Sequence, residues 1–115
     1  MANYLLQVAY TTEAWSAMVG APQDRTKAVE GAIHNLGGKI EKFWLSFGDY
    51  DLIGVVDMPD SISAAAFSMA VAAGGACKNV KTTPLLTTAE GIEAMKKAAA
   101  CGYKPVGRKT GRAAG

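Results

Sequence analysis

Histidine and cysteine are nearly missing from this chain of 115 residues, which holds one of the former and two of the latter. A lone His34 excludes any multi-histidine metal site or relay within one chain. Cys77 and Cys101 show no metal-ligand spacing and are too few for a disulfide framework, so they read as buried or idle thiols. No segment carries 18 uninterrupted apolar residues, and the apolar stretch Ala64–Ala73 is broken by Ser68 and too short to span a bilayer. Met1–Tyr10 has neither the basic start nor the apolar run of a signal peptide. These absences predict a soluble, cytoplasmic protein without a membrane partner. The patterns G-x-S-x-G, C-x-x-C and H-E-x-x-H do not occur. Gly37-Gly38-Lys39 fails as a phosphate loop, because it ends a helix and Ile40 stands where Ser or Thr is required. No catalytic set, metal centre or cofactor is expected.

Half of the residues are hydrophobic and 19% are charged, which argues for a folded chain with one core. The formal charge of +2 conceals an asymmetry: residues 1–95 hold six basic and all ten acidic side chains, whereas residues 96–115 hold six basic ones and no acid. The expected organisation is an α+β domain over residues 1–90, followed by a C-terminal helix and basic tail over 91–115. Residues 104–115 are rich in Gly and Ala and have no interleaved aromatics. They read as a solvated or loosely docked extension, and a nucleic-acid arm is the weaker reading.

Along the chain, Tyr4–Tyr10 alternates as a first strand, with Tyr4, Leu6, Val8 and Tyr10 on one side. A connection follows over Thr11–Gly20, with a helical turn around Ala14–Met18. Pro22 suits the first turn of a helix carrying Val29, Ile33 and Leu36 on one face, and Gly37-Gly38 ends it. Lys39–Phe47 and Tyr50–Met58 form a hairpin around a two-residue loop, Gly48-Asp49. That turn sets Phe47 opposite Tyr50, Leu45 opposite Leu52, Phe43 opposite Gly54 and Glu41 opposite Val56. On the other side it pairs Trp44 with Ile53, Lys42 with Val55 and Ile40 with Asp57. Asp60 caps a helix over Ser61–Ala73 whose core stripe is Phe67, Ala70 and Val71. Lys78–Leu86 is a fourth strand, which Pro84 assigns to an edge. A short helix opens at Thr88-Ala89-Glu90, with Ile92, Met95 and Ala98–Ala100 inward.

The order βαββαβ with right-handed crossovers predicts a ferredoxin-like fold: a four-stranded antiparallel sheet with helices on one face, and an extra C-terminal helix. Two helices cover one side of such a sheet. Phe43, Leu45, Phe47, Leu52 and Val56 are assigned to the helical side, which leaves Trp44, Ile53, Val55 and Ile40 bare. A second copy packed sheet against sheet is the simplest cover, so a homodimer or a multiple of one is expected.

The turn Gly48-Asp49-Tyr50-Asp51, the apolar strand after it and Asp57-Met58-Pro59-Asp60 resemble the GYD-domain family. Gly48, Tyr50 and Asp51 match the residues that name that family, and Asp57 stands where Glu is commoner. The likeness extends to Tyr4–Thr11, to Leu36-Gly37-Gly38-Lys39 and to the passage into the fourth strand, and it stops near Glu90. The resemblance implies a bacterial or archaeal protein of the dimeric α+β barrel superfamily.

Asp49, Asp51, Asp57 and Asp60 do not form a cluster, since Asp51 and Asp57 stand roughly 20 Å apart on one strand at ~3.3 Å per residue. Asp51 is either structural, through turn hydrogen bonds or an intersubunit pair, or a ligand contact. His34 is solvent-facing or capping, with a general base or an axial haem ligand as the alternatives. Gly54 makes space for the Phe43 ring or floors a helix–sheet pocket that Tyr10 and Trp15 would roof. The candidate ligand contacts are Tyr10, His34, Trp44, Tyr50 and Asp51. Three functions are weighed: a non-catalytic oligomeric module binding a small metabolite in an interface or helix–sheet pocket; a small cofactor-independent enzyme of monooxygenase or isomerase type; and an assembly subunit whose basic tail recruits an acidic partner. An enclosed pocket lined by His34 or Tyr10 would favour the enzyme.

Overall fold

The computed structural model describes residues 1–107. Of the tail expected over 104–115, residues 108–115 lie outside the described residues. The elements are β1 (Ala2–Tyr10), α1 (Thr12–Gly20), α2 (Thr26–Asn35), β2 (Lys39–Leu45), β3 (Leu52–Met58), α3 (Ser61–Ala73), β4 (Cys77–Leu85) and α4 (Thr88–Ala100). The strands form one sheet in the order β2-β3-β1-β4, with every neighbouring pair antiparallel. This is the ferredoxin-like α+β arrangement, and Pro84 lies on an edge strand, where a missing N–H leaves no ladder bond unmade.

Met1–Leu85 is one compact unit, and a second begins at Leu86. In the first, period-two alternation turns Tyr4, Leu6, Val8 and Tyr10 of β1 and Leu52, Val56 and Met58 of β3 toward one buried face. Ile33 of α2 and Ala64 and Phe67 of α3 close over that face. The α3 stripe is Ala64, Phe67 and Val71; Ala70, expected inward, is exposed. Truncating Phe67 to Ala would cost about 3–5 kcal/mol, the usual penalty for emptying an aromatic core position. Asp60 caps α3 as expected, its carboxylate accepting the Ser63 N–H at 2.7 Å.

The β2–β3 hairpin departs from expectation at both ends. Leu45↔Leu52, Trp44↔Ile53, Phe43↔Gly54 and Lys42↔Val55 pair as read. Beyond them a bulge at Glu41 sets Ile40 opposite Val56 and Lys39 opposite Asp57. One extra residue moves Ile40 to the other side of the strand, so it packs on the core instead of the open face. At the tip, β2 stops at Leu45 and β3 starts at Leu52, so the loop is wider than the two residues expected. Ser46 still donates to the Asp51 carbonyl at 2.7 Å, but the Asp51 N–H turns away to Val8 of β1. The ladder therefore opens before Phe47 and Tyr50 can pair. Phe47, assigned to the helical side, is 96% exposed, and Leu45 is exposed as well. Gly48 sits in this loop at φ +142°, a region that L side chains rarely adopt.

The connection after β1 is a full helix, α1, rather than a single turn, and α2 begins at Thr26, after Pro22. In the second unit a capping box opens α4: Thr87 Oγ1 accepts the Glu90 N–H and Glu90 Oε1 accepts the Thr87 N–H. Ile92 and Met95, expected inward, are exposed, and no residue of α4 is buried. No helix among the described residues is long and apolar enough to cross a membrane.

Candidate functional site

Asp51 organises the end of the sheet. It is only 9% exposed, and its Oδ2 accepts two donors, the backbone N–H of Tyr10 at 2.9 Å and the indole Nε1–H of Trp15 at 3.2 Å. Together with the Asp51 N–H bond to the Val8 carbonyl at 2.7 Å, this ties the hairpin loop to the end of β1 and to α1. A buried carboxylate needs such donors, since burial without them costs several kcal/mol. Thr11 helps from the other side: its hydroxyl accepts the Ala14 N–H at 3.1 Å and starts α1 directly after the strand. The indole is thereby fixed edge-on to the Tyr10 ring, at a centroid distance of 5.6 Å and an interplanar angle of 82°.

These constraints shape one wall of a half-open cleft of about 590 Å³ between the helices and the sheet. Tyr10 comes from β1, Trp15 and Met18 from α1, and Pro22 and Arg25 from the segment before α2. The β2 and β3 strands add Phe43 and Leu52, and Trp44 only at the edge, since its ring lies on the other face of the strand beside Lys42. Phe43 reaches this position because Gly54 opposite has no side chain: a Cβ there would collide with the ring and stand 2.8 Å from the Lys42 carbonyl. Both functions weighed for Gly54 thus describe one geometry, space for a ring that forms part of the cleft. The volume lies within the roughly 300–1,000 Å³ of small-molecule sites.

Two polar groups stand in this apolar surround. Tyr10 is 6% exposed, and among the described residues nothing hydrogen-bonds its hydroxyl. An unsatisfied buried hydroxyl costs about 1–3 kcal/mol, so a partner supplied by a ligand would recover that loss. Burial pushes the phenol pKa up, the Cys77 and Asp51 charges add to that, and the Arg25 charge opposes it. The phenol is therefore protonated at neutral pH and able to donate. Arg25 is the second group. It makes no ion pair with any described residue, its one side-chain contact being Gln23 Oε1 at 3.5 Å. Its charge also lowers the pKa of Cys77, the cross-strand neighbour of Tyr10, against the larger upward push of burial. Asp24, next to it, is occupied by the Thr26 N–H at 2.9 Å, which holds that carboxyl below its ordinary value.

Of the residues singled out from the sequence, Tyr10 lines the cleft and Trp44 stands at its edge. Asp51 stands behind the wall and positions it. Tyr50 lies outside the lining, its hydroxyl accepting from the Asn79 amide at 3.4 Å. His34 is exposed in the last turn of α2, and Gly48 is in the loop. Arg25 was missed, because Pro22 was read as the helix start. The spacing Asp24-x-Thr26, which closes a turn through the Asp24 side chain, was the available signal for a later start.

A second polar group lies at the far end of β3. Asp57, 7% exposed, accepts from the Asn3 amide and lies 3.9 Å from Lys39 Nζ. The bulge brings Glu41 beside it, and a shared hydrogen bond with Asp57, then the Asp57 charge, raise the Glu41 pKa against the pull of Lys39. Among the described residues no three His, Cys, Asp or Glu side chains gather as a metal site.

Fold and site together define a ferredoxin-like α+β domain with a helix–sheet cleft. The chain belongs to the GYD domain family, whose model matches residues 4–95. No curated protein and no solved structure has significant similarity to it.

Proposed function

We propose that this protein is an oligomeric module that binds a small metabolite in the cleft between α1, the α2 entry and the sheet. The observation that carries this reading is an apolar cleft walled by Trp15 and Phe43 and by a buried phenol without a described partner. Assembly is supported by the opposite face of the sheet. Trp44 is 52% exposed, and Leu5, Ile53 and Val55 are only half-buried, an apolar surface that a second copy would cover. Mass analysis of protein purified under native conditions is expected to find a bound small molecule that Trp15→Ala loses. Recovery of ligand-free protein from several sources and media would count against the binding role. Sedimentation at micromolar concentration is expected to give a dimer or larger, and a stable single-copy species with an accessible Trp44 would remove the assembly.

A small cofactor-independent enzyme is the second reading, favoured by the presence of Tyr10 in the cleft lining. The raised phenol pKa suits it to give a proton or hydrogen bond rather than to abstract one. Turnover of a bound metabolite that disappears in Tyr10→Phe would establish this reading over simple binding.

A further inference from the structure

Resting on the cleft reading, we infer that the ligand is a small planar or aromatic carboxylate, its ring against Trp15 and Phe43 and its carboxylate held by Arg25 and the Tyr10 hydroxyl. The walls are apolar and aromatic, which suits a flat hydrophobic body. The polar demand is small and specific. Arg25 is a cation without an ion-pair partner among the described residues, and Tyr10 is a donor without an acceptor. A guanidinium and one hydroxyl match the two oxygens of a carboxylate, in the planar geometry at which Arg excels. Both groups line the same cleft, and the charge of Arg25 is felt at the Tyr10 hydroxyl, so one small anion can meet both. Neither neighbouring acid is ion-paired with the cation, although Asp24 also lines the cleft. Asp24 is engaged by the Thr26 N–H, and Asp51 Oδ2 by Tyr10 and Trp15. A phosphate would bring more charge and more acceptor oxygens than these two donors satisfy.

Of the two tryptophans of the chain, Trp15 walls the cleft, so its indole N–H resonance reports on occupancy directly, and Trp44, whose ring lies on the other face of the sheet beside Lys42, serves as the reference. The probes are 2-naphthoate and its neutral amide, titrated against 15N-labelled full-length protein. The naphthoate is expected to shift the Trp15 indole signal more than that of Trp44 and to bind about tenfold tighter than the amide, the increment of one charge-assisted contact. Arg25→Gln, at an exposed position, is expected to reduce the naphthoate to the affinity of the amide and leave the amide unchanged. Arg25→Lys should restore part of the difference, and high salt should diminish it. Tyr10→Phe, which keeps the ring, is expected to weaken the naphthoate severalfold. Equal binding of acid and amide to the wild type would overturn the anion assignment while leaving the cleft reading intact. If neither probe moves the Trp15 indole signal, the inference fails, and the native mass analysis decides the cleft reading separately.

Discussion

Two buried aspartates bracket β3, and they are held in different ways. Asp51, just before the strand, is surrounded by N–H donors from β1 and α1, with no cation against it among the described residues. Asp57, near its other end, takes one amide donor and a lysine, and has Glu41 as a neighbour. The first arrangement is rigid, because each donor belongs to the fold itself. The second sets the long side chains of Lys39 and Glu41 around a buried carboxylate, and its balance depends on protonation. The contrast teaches that the cleft end of the sheet was built for shape, while the opposite end is tuned by charge.

The largest expected effect lies at the cleft end. Asp51→Ala leaves the Tyr10 N–H and the Trp15 indole without an acceptor and should cost about 3 kcal/mol in denaturant unfolding. The Trp15 indole resonance should also move upfield. Asp51→Asn keeps an acceptor oxygen and should cost less. If Asp51→Ala unfolds with the midpoint of the wild type, the donors find other partners and the difference between the two ends collapses.

Gly54→Ala comes next, placed midway between the two aspartates. The added methyl group meets the Phe43 ring and should cost about 1–3 kcal/mol through overpacking. The ring should swing into the cleft, so ligand-induced indole shifts should shrink while the Asp57 end is unaffected. A stable variant with an unchanged cleft would mean that Phe43 does not depend on the missing side chain.

At the charged end, the effect is smaller and takes the form of a pH dependence. A Glu41 pKa raised in the fold contributes stability below 4.5, the ordinary glutamate value, and that contribution is lost as pH rises through the higher folded value. Asp57→Ala removes both the carboxylate that shares the hydrogen bond and its charge. Its stability should therefore fall less than that of the wild type across the window just above pH 4.5. Parallel pH profiles for the two proteins would show that Glu41 does not sense Asp57.

The same contrast explains what could be read in advance. The end of α3 that Asp60 caps, the edge position of Pro84 and the Leu45↔Leu52 to Lys42↔Val55 register were legible, because a cap, a ring and strict alternation act over a few residues. Ile40 was misplaced, since nothing local announces that Glu41 bulges. Phe47 was assigned inward because the Gly48 turn predicts a closed hairpin, and the pull of β1 on Asp51 is invisible along the sequence. The candidate site was half legible: Tyr10, Trp15, Trp44 and the Phe43–Gly54 pair were noticed, whereas Arg25 was not.

The amino-acid sequence by itself determined the order of elements, the sheet topology they permit and the family, because propensities, caps and periodicity act over short range. Tertiary structure alone decided that Asp51 would bind residues 41 and 36 positions away and that Arg25 and Tyr10 would line one cleft. Such contacts join groups that the chain keeps far apart, and they exist only once the core has brought their backbones together.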